Sequence, residues 1–206
     1  MDKAQALAAI EARIAADDSL PLREANLVFG EGNPAADVMF IGEAPGARED
    51  ELGRPFVGRA GQLLDRLIGE IGWRRADVYI TNIVKRRPPG NRDPFPEEID
   101  AYKPYLAEQI RAIDPKIIVP LGRFSTNFFL PNAKITRDQG KVFRMKGKLI
   151  VPQLHPAAAL RGTETMNALR RSFRLLPAIL VRFDELSKPF GPAETFPAEP
   201  SQEPLL

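Results

Sequence analysis

Short apolar runs alternating with longer amphipathic stretches constrain this chain more than any other feature. Val38-Met39-Phe40-Ile41, Val78-Tyr79-Ile80-Thr81 and Ile117-Ile118-Val119-Pro120-Leu121-Gly122 read as buried strands bounded by turn residues. Val142–Met145 and Lys148–Gln153 read as a hairpin across Lys146-Gly147. Between the runs, residues 59–72 form a helix with Leu63, Leu64, Leu67, Ile68 and Ile71 as a wide apolar stripe. Pro96, at a first helical position, opens a helix to about Ile113. A short helix runs from Gly122 to about Leu130, and a closing helix lies near 164–183. Strands interleaved with helices predict a three-layer α/β/α fold around a mostly parallel four-stranded sheet.

The flanks differ in character. Residues 3–16 form an Ala-rich helix with Leu7, Ile10 and Ile14 on one face, joined to the sheet by a polar connection. From Glu185 the chain is rich in Pro and Glu, with five prolines in its last 18 residues, and reads as a disordered acidic tail. The predicted organisation is an N-terminal helix (1–19), one domain (20–184) and the tail (185–206).

The stretch from Ile41 to Gly61 holds five glycines and two prolines interleaved with charges, too irregular for a hairpin and too long for a simple connector. Gly42 and Gly46 allow main-chain N–H groups to approach a ligand closely. Glu43 sits between strand end and turn, and Phe56 is an aromatic ring presented from a loop. Open α/β sheets bind ligands beyond the carboxyl ends of their strands. Glu43, Asn82, Gly122 and His155 each lie just past a predicted strand, so four strand ends point at one crevice. Singly, an Asn after a strand is a turn former, and a His before Pro is a structural residue. Together they indicate a site.

Composition narrows the chemistry. There is no cysteine and one histidine, which excludes disulfides, thiolate catalysis, Cys-ligated clusters and His-rich metal sites; neither metal nor cofactor is expected. No apolar run approaches the roughly 20 residues of a membrane span, and no signal-peptide pattern opens the chain, so a cytoplasmic, nucleoid-associated monomer is expected. A net charge of +2 means that any surface for a polyanion is local. The basic loop Lys85-Arg86-Arg87-Pro88-Pro89-Gly90-Asn91-Arg92, with Arg161, is the candidate. The glycine loop carries neither G-x-G-x-x-G nor G-x-x-x-x-G-K-[ST], which disfavours a nucleotide-binding Rossmann-type domain.

Five linked segments resemble the uracil-DNA glycosylase superfamily, in the right order over roughly residues 20–183: Gly42-Glu-Ala-Pro-Gly46, Gly53-Arg-Pro-Phe-Val-Gly-Arg-Ala-Gly61, Thr81-Asn-Ile-Val-Lys85, Arg87-Pro-Pro-Gly-Asn-Arg92 and His155-Pro-Ala-Ala158. The nearest branch is family 4, the thermostable iron–sulfur type. The resemblance implies that Gly42, Glu43, Ala44 and Gly46 bound a uracil pocket and place the attacking water. It implies that Phe56 stacks on the flipped base, Asn82 reads its edge and His155 sits against uracil O2. Lys85, Arg86, Arg87, Arg92 and Arg161 would contact DNA. The implied partner is uracil-containing DNA, single- or double-stranded, and the implied product is free uracil. An alternative is a broader deaminated-base range, or a catalytically silent recognition module.

Two departures stand out. Family 4 carries four cysteines around a [4Fe–4S] cluster: two near residues 15–20, one where Arg86 stands here, and one near Ala101 or Tyr102. With no cysteine, the cluster is expected to be absent. In the best-studied glycosylase branch the first motif has an aspartate that activates water and a tyrosine that excludes thymine; their places are taken here by Ala44 and Gly46, as they also are in family 4. Glu43, one residue away, is then the candidate base.

Overall fold

The computed structural model describes residues 2–188. Its centre is one sheet of β1 (Glu31–Gly32), β2 (Val38–Gly42), β3 (Tyr79–Asn82), β4 (Ile117–Pro120), β5 (Phe143–Met145) and β6 (Lys148–Ile150), in the order β1-β3-β2-β4-β6-β5. The inner four strands, β3-β2-β4-β6, are parallel, and β1 and β5 pair antiparallel at the two edges. The expected four strands are thus the parallel interior. The two further strands are β5, the first arm of the hairpin, and β1, whose two residues are too few to show an alternation in sequence.

The helices are α1 (Lys3–Ala16), α2 (Ala47–Leu52), α3 (Arg59–Glu70), α4 (Pro96–Ile113), α5 (Arg123–Phe129), α6 (Ile135–Asp138), α7 (Pro156–Ala159), α8 (Thr163–Phe173), α9 (Leu176–Val181) and α10 (Phe183–Leu186). Strand β2 is buried along its whole length, and its alternation divides the core in two. Val38 and Phe40 face Leu63, Leu64 and Leu67 of α3 with Leu169 and Phe173 of α8. Met39 and Ile41 face Leu7, Ile10 and Ile14 of α1 with Tyr102, Leu106 and Ile110 of α4. Phe40 stacks on Phe173 with centroids 5.7 Å apart. Truncating either ring would cost about 3–5 kcal/mol. Helix α1 is therefore a layer of the same core rather than a separate unit.

The closing helix expected near 164–183 is broken into α8, α9 and α10. Pro177 is responsible for the first break: it has no N–H to continue the ladder, and its ring would meet the carbonyl of Phe173. Glu185 and Leu186, placed in the tail, close α10; residues 189–206 of that tail lie outside the described residues. Among the described residues, no helix is long and apolar enough to cross a membrane.

Candidate active site

Parallel strands bring their carboxyl ends to one edge, and the site starts from the closest approach there. Gly42 lies in register with Asn82. A β-carbon on Gly42 would stand 2.3 Å from Asn82 Oδ1 and 2.5 Å from Phe56 Cζ, so only hydrogen fits beneath the amide and the ring. Beyond the strands the pairing continues: Ile83 N–H donates to Gly42 O and Val84 N–H to Glu43 O, both at 3.0 Å. The loop that carries Glu43 is in this way laced to the loop that carries Asn82.

Phe56 takes a left-handed backbone conformation (φ 50°), which costs an aromatic residue about 1–3 kcal/mol and needs support. Three groups provide it. Arg75 donates to the carbonyls of Phe56 (3.2 Å) and Pro55, and is itself held by Glu31 and Asp65. A β-carbon on Gly61 would lie 1.8 Å from Phe56 O, so α3 can pass under the turn only with glycine there. Glu49 Oε1 accepts from Val57 N (2.8 Å) and Gly58 N (2.7 Å), supplying α3 with a cap from α2.

His155 follows β6, one residue past Leu154. Gly122, with φ 91°, sits beneath it: a β-carbon there would be 2.9 Å from His155 Cβ. The imidazole and the Phe56 ring have centroids 5.8 Å apart and are tilted by 36°. Glu43, Phe56, Asn82 and His155 line one cleft of about 460 Å³, together with Ala44 and Gly46.

The electrostatics of the cleft are unusual in both directions. Burial raises the Glu43 carboxyl to about 7; the charge of Asp93 adds to this and Arg123 opposes it. Its Oε1 is buried without a hydrogen-bond partner, and so is Asn82 Oδ1. Burial lowers His155 to about 4, with Glu49 partly opposing. Ala157 N–H donates to His155 Nδ1 at 3.2 Å, so that nitrogen carries no proton and the neutral ring bears its hydrogen on Nε2.

The expected DNA-contacting set needs correction. Lys85 is fully buried, with Nζ bonded to Thr81 Oγ1, Asn82 O and Gln109 Oε1, and cannot reach a phosphate. Arg86 is 8% exposed and points inward, donating to Ala25 O. Arg92 lines the cleft but makes a bidentate pair with Glu98 (2.8 and 2.6 Å) and lies 3.7 Å over the Phe95 ring. Glu98 is thus held by Arg92. Arg87 donates to Asn91 Oδ1 at 2.7 Å, while Arg161 is exposed and lines the cleft. Sequence reading missed Glu49 and Asp93, which also line it. Asp93 was visible as an acid inside a basic loop; Glu49 had no local signal, because the backbone it caps lies eight and nine residues on.

The positions that would hold a cluster converge, but not on metal chemistry. Tyr102 Oη donates to Pro21 O at 2.8 Å, Arg86 to Ala25 O, and Tyr105 Oη to Asp17 Oδ2. Burial pushes the Tyr102 phenol up to about 12, and the neighbouring Arg86 guanidinium opposes that rise. Guanidinium, phenol and carbonyl groups, with no thiolate in the chain, do not fit a [4Fe–4S] cluster.

Comparison with known proteins gives a consistent picture. The model of the uracil DNA glycosylase superfamily matches residues 29–176. A type-4 uracil-DNA glycosylase of Sulfurisphaera tokodaii is 47% identical over 166 residues, covering 76% of each chain. That of Thermotoga maritima is 48% identical over 155 residues, 74% of this chain and 80% of its own. That of Archaeoglobus fulgidus is 48% identical over 158 residues, 72% of this chain and 79% of its own.

Proposed function

The chain belongs to the uracil DNA glycosylase superfamily, and from that premise we infer that it is a uracil-DNA glycosylase. It hydrolyses the N-glycosidic bond of uracil in DNA, leaving an abasic site and free uracil and so initiating base-excision repair. The reaction runs through four residues and needs no cofactor. A base rotated out of the DNA stack enters the cleft, at a cost of a few kcal/mol that stacking on Phe56 helps offset. Asn82 Oδ1 accepts from uracil N3–H while its amide N–H donates to O4. His155, neutral, donates from Nε2 to O2. Glu43, as carboxylate, takes a proton from the water that attacks sugar C1′. The C1′–N1 bond breaks with its electron pair going to the base, which leaves as a delocalised anion and is protonated by solvent.

One observation carries this assignment: Glu43 and Asn82, which line one cleft, each hold a buried acceptor atom without a partner, Oε1 and Oδ1, beside a histidine whose proton is on Nε2. Buried polar atoms are nearly always satisfied, so a pair of vacancies in a cleft marks a ligand's place. Arg87 and Arg161 are the remaining candidates for backbone phosphates, in single- or double-stranded DNA, with the protein acting as a nucleoid-associated monomer. Incubation with a uracil-containing oligonucleotide followed by alkali is the test. Strand scission supports the enzyme, and retention without scission would reduce the protein to a recognition module. A broader deaminated-base range draws support from Gly46, where the only obstacle to a side chain is the end of Glu49. Cleavage of hypoxanthine-containing DNA would reveal it.

A further inference from the structure

Lys85 is a fully buried cation that the reaction above does not use. Its side chain has no exposed surface. After β3 the chain turns within three residues, and Lys85 folds back under the strand end. Nζ then meets Thr81 Oγ1 at 2.8 Å, Asn82 O at 2.6 Å and Gln109 Oε1. The proton inventory is closed on the other side. Thr81 Oγ1 donates to Phe29 O (2.7 Å), and Gln109 Nε2 donates to the same carbonyl (3.1 Å). Both groups therefore turn lone pairs towards Nζ. Three acceptors surround it, and three N–H donors exist only on the ammonium form. Burial pushes the Lys85 ammonium well below the usual lysine range, whereas hydrogen bonds to three acceptors favour the charged form. None of the ion pairs among the described residues includes Lys85.

A buried cation with no counter-ion is costly, by several kcal/mol even after relaxation. Its neighbours Ile83 and Val84 fill the same turn with apolar side chains at no such penalty. The charge is also in a telling place. It grips the carbonyl of the residue assigned to read the base, in an interior screened far less than water. We propose that Lys85 is a positioning residue of the glycosylase reaction, clamping Asn82 and setting a buried positive charge behind the pocket wall that faces the departing uracil anion. This rests on the functional reading above. A preorganised charge of this kind acts mainly in the transition state, when the base gains its negative charge.

The experiment compares Lys85→Met with wild type on DNA carrying uracil or 5-fluorouracil, measuring single-turnover excision. Fluorine stabilises the leaving anion by itself, so that substrate needs less help from a protein charge. The expected result is a loss of about 10²-fold on uracil, and a clearly smaller loss on 5-fluorouracil. Equal losses on the two bases, or a loss under about threefold on uracil, overturn the proposal and leave Lys85 as a fold residue. If Lys85→Met does not fold, the ¹⁵N spectrum of the wild-type side chain decides: an ammonium signal at neutral pH supports the proposal, and a neutral amine overturns it. Wild type inactive on uracil would instead remove the functional reading, before Lys85 is in question.

Discussion

Glu43 lines the cleft and Glu98 sits behind Arg92, which also lines it, and the structure treats these two glutamates in opposite ways. Glu98, at the start of α4, is 5% exposed and fully matched: Arg92 clasps it with two hydrogen bonds, and Phe95 N–H donates a third at 2.8 Å. The bonds from Arg92, with that from Phe95, hold its carboxyl below the usual range. Glu43, at the end of β2, has one oxygen with no partner and a carboxyl raised to about 7. The residue type is the same, so environment alone divides the roles. A satisfied carboxylate is a brace, locking the turn that follows the basic loop. An unsatisfied one with a pKa near neutrality has the properties that a general base needs.

The comparison breaks first, if it breaks, on activity. Glu43→Gln keeps the volume and removes the base, and excision should fall by about 10²–10⁴-fold. Its folded state should meanwhile gain stability at pH 8. The sign follows from linkage: the raised pKa means that the native state binds a proton more tightly than the unfolded chain, so stability declines as pH rises from about 4.5 towards about 7. Glutamine has no such decline. A Glu43→Gln protein that is inactive and also less stable at pH 8 would make Glu43 a structural residue.

Next in size, His155→Ala should lose about 10²–10³-fold in rate with the fold retained. Excision within about threefold of wild type would remove the donor role. The pH profile then separates the two groups. Excision should rise with pH through about 7 as Glu43 deprotonates. It should show no histidine limb above pH 5, because His155 is already neutral there. A rate that falls through pH 7 would mean that the acid form of Glu43 is the active one.

For Glu98 the expected effects invert. Glu98→Gln should lower stability by about 1–3 kcal/mol, shifting Tm by roughly 2–4 °C for each kcal/mol, with excision nearly unchanged. Its lowered pKa gives a contribution that is present above about 4.5 and lost as pH falls through the folded value. The two glutamates therefore tilt the stability curve in opposite directions. Thermal melts of both variants from pH 2.5 to 8 would show whether they do.

Much of this was legible before any coordinates. Glu43, Asn82 and His155 could be placed at one edge because a parallel sheet gathers its strand ends, and that rule needs only the order of the elements. The burial of Lys85 and Arg86 was not legible. A run of Lys85-Arg86-Arg87 reads as a solvated, phosphate-facing loop, and only the tight turn after β3 sends the first two side chains inward. Likewise Glu49 announces itself nowhere, since a cap supplied from a different helix has no sequence spacing to betray it. The break at Pro177 was written in the chain, but the apolar stripe on both sides of it reads as one helix. Pattern recovers what is periodic or topological; it fails where a single side chain's direction depends on a turn.

The smallest expected effect is at the place where cysteines are missing and Arg86 and Tyr102 stand instead. Tyr102 and Arg86 bond to the carbonyls of Pro21 and Ala25, tying the segment between α1 and β1 to α4 and to the loop after Asn82. Tyr102→Phe removes one hydroxyl and its bond to Pro21 O, a loss of about 0.5–1.5 kcal/mol, while the ring still fills its buried place. If this network is the brace, the variant should melt a few degrees lower and cleave uracil at an unchanged rate. Iron chelators should change neither quantity in wild type. The purified protein should also lack visible absorbance, since neither of the two buried side chains is a cluster ligand. A brown preparation whose colour and activity vanish together on chelation would refute the brace. An unchanged melting temperature in Tyr102→Phe would show that the hydroxyl carries no part of it, and would shift the tie to Arg86 alone.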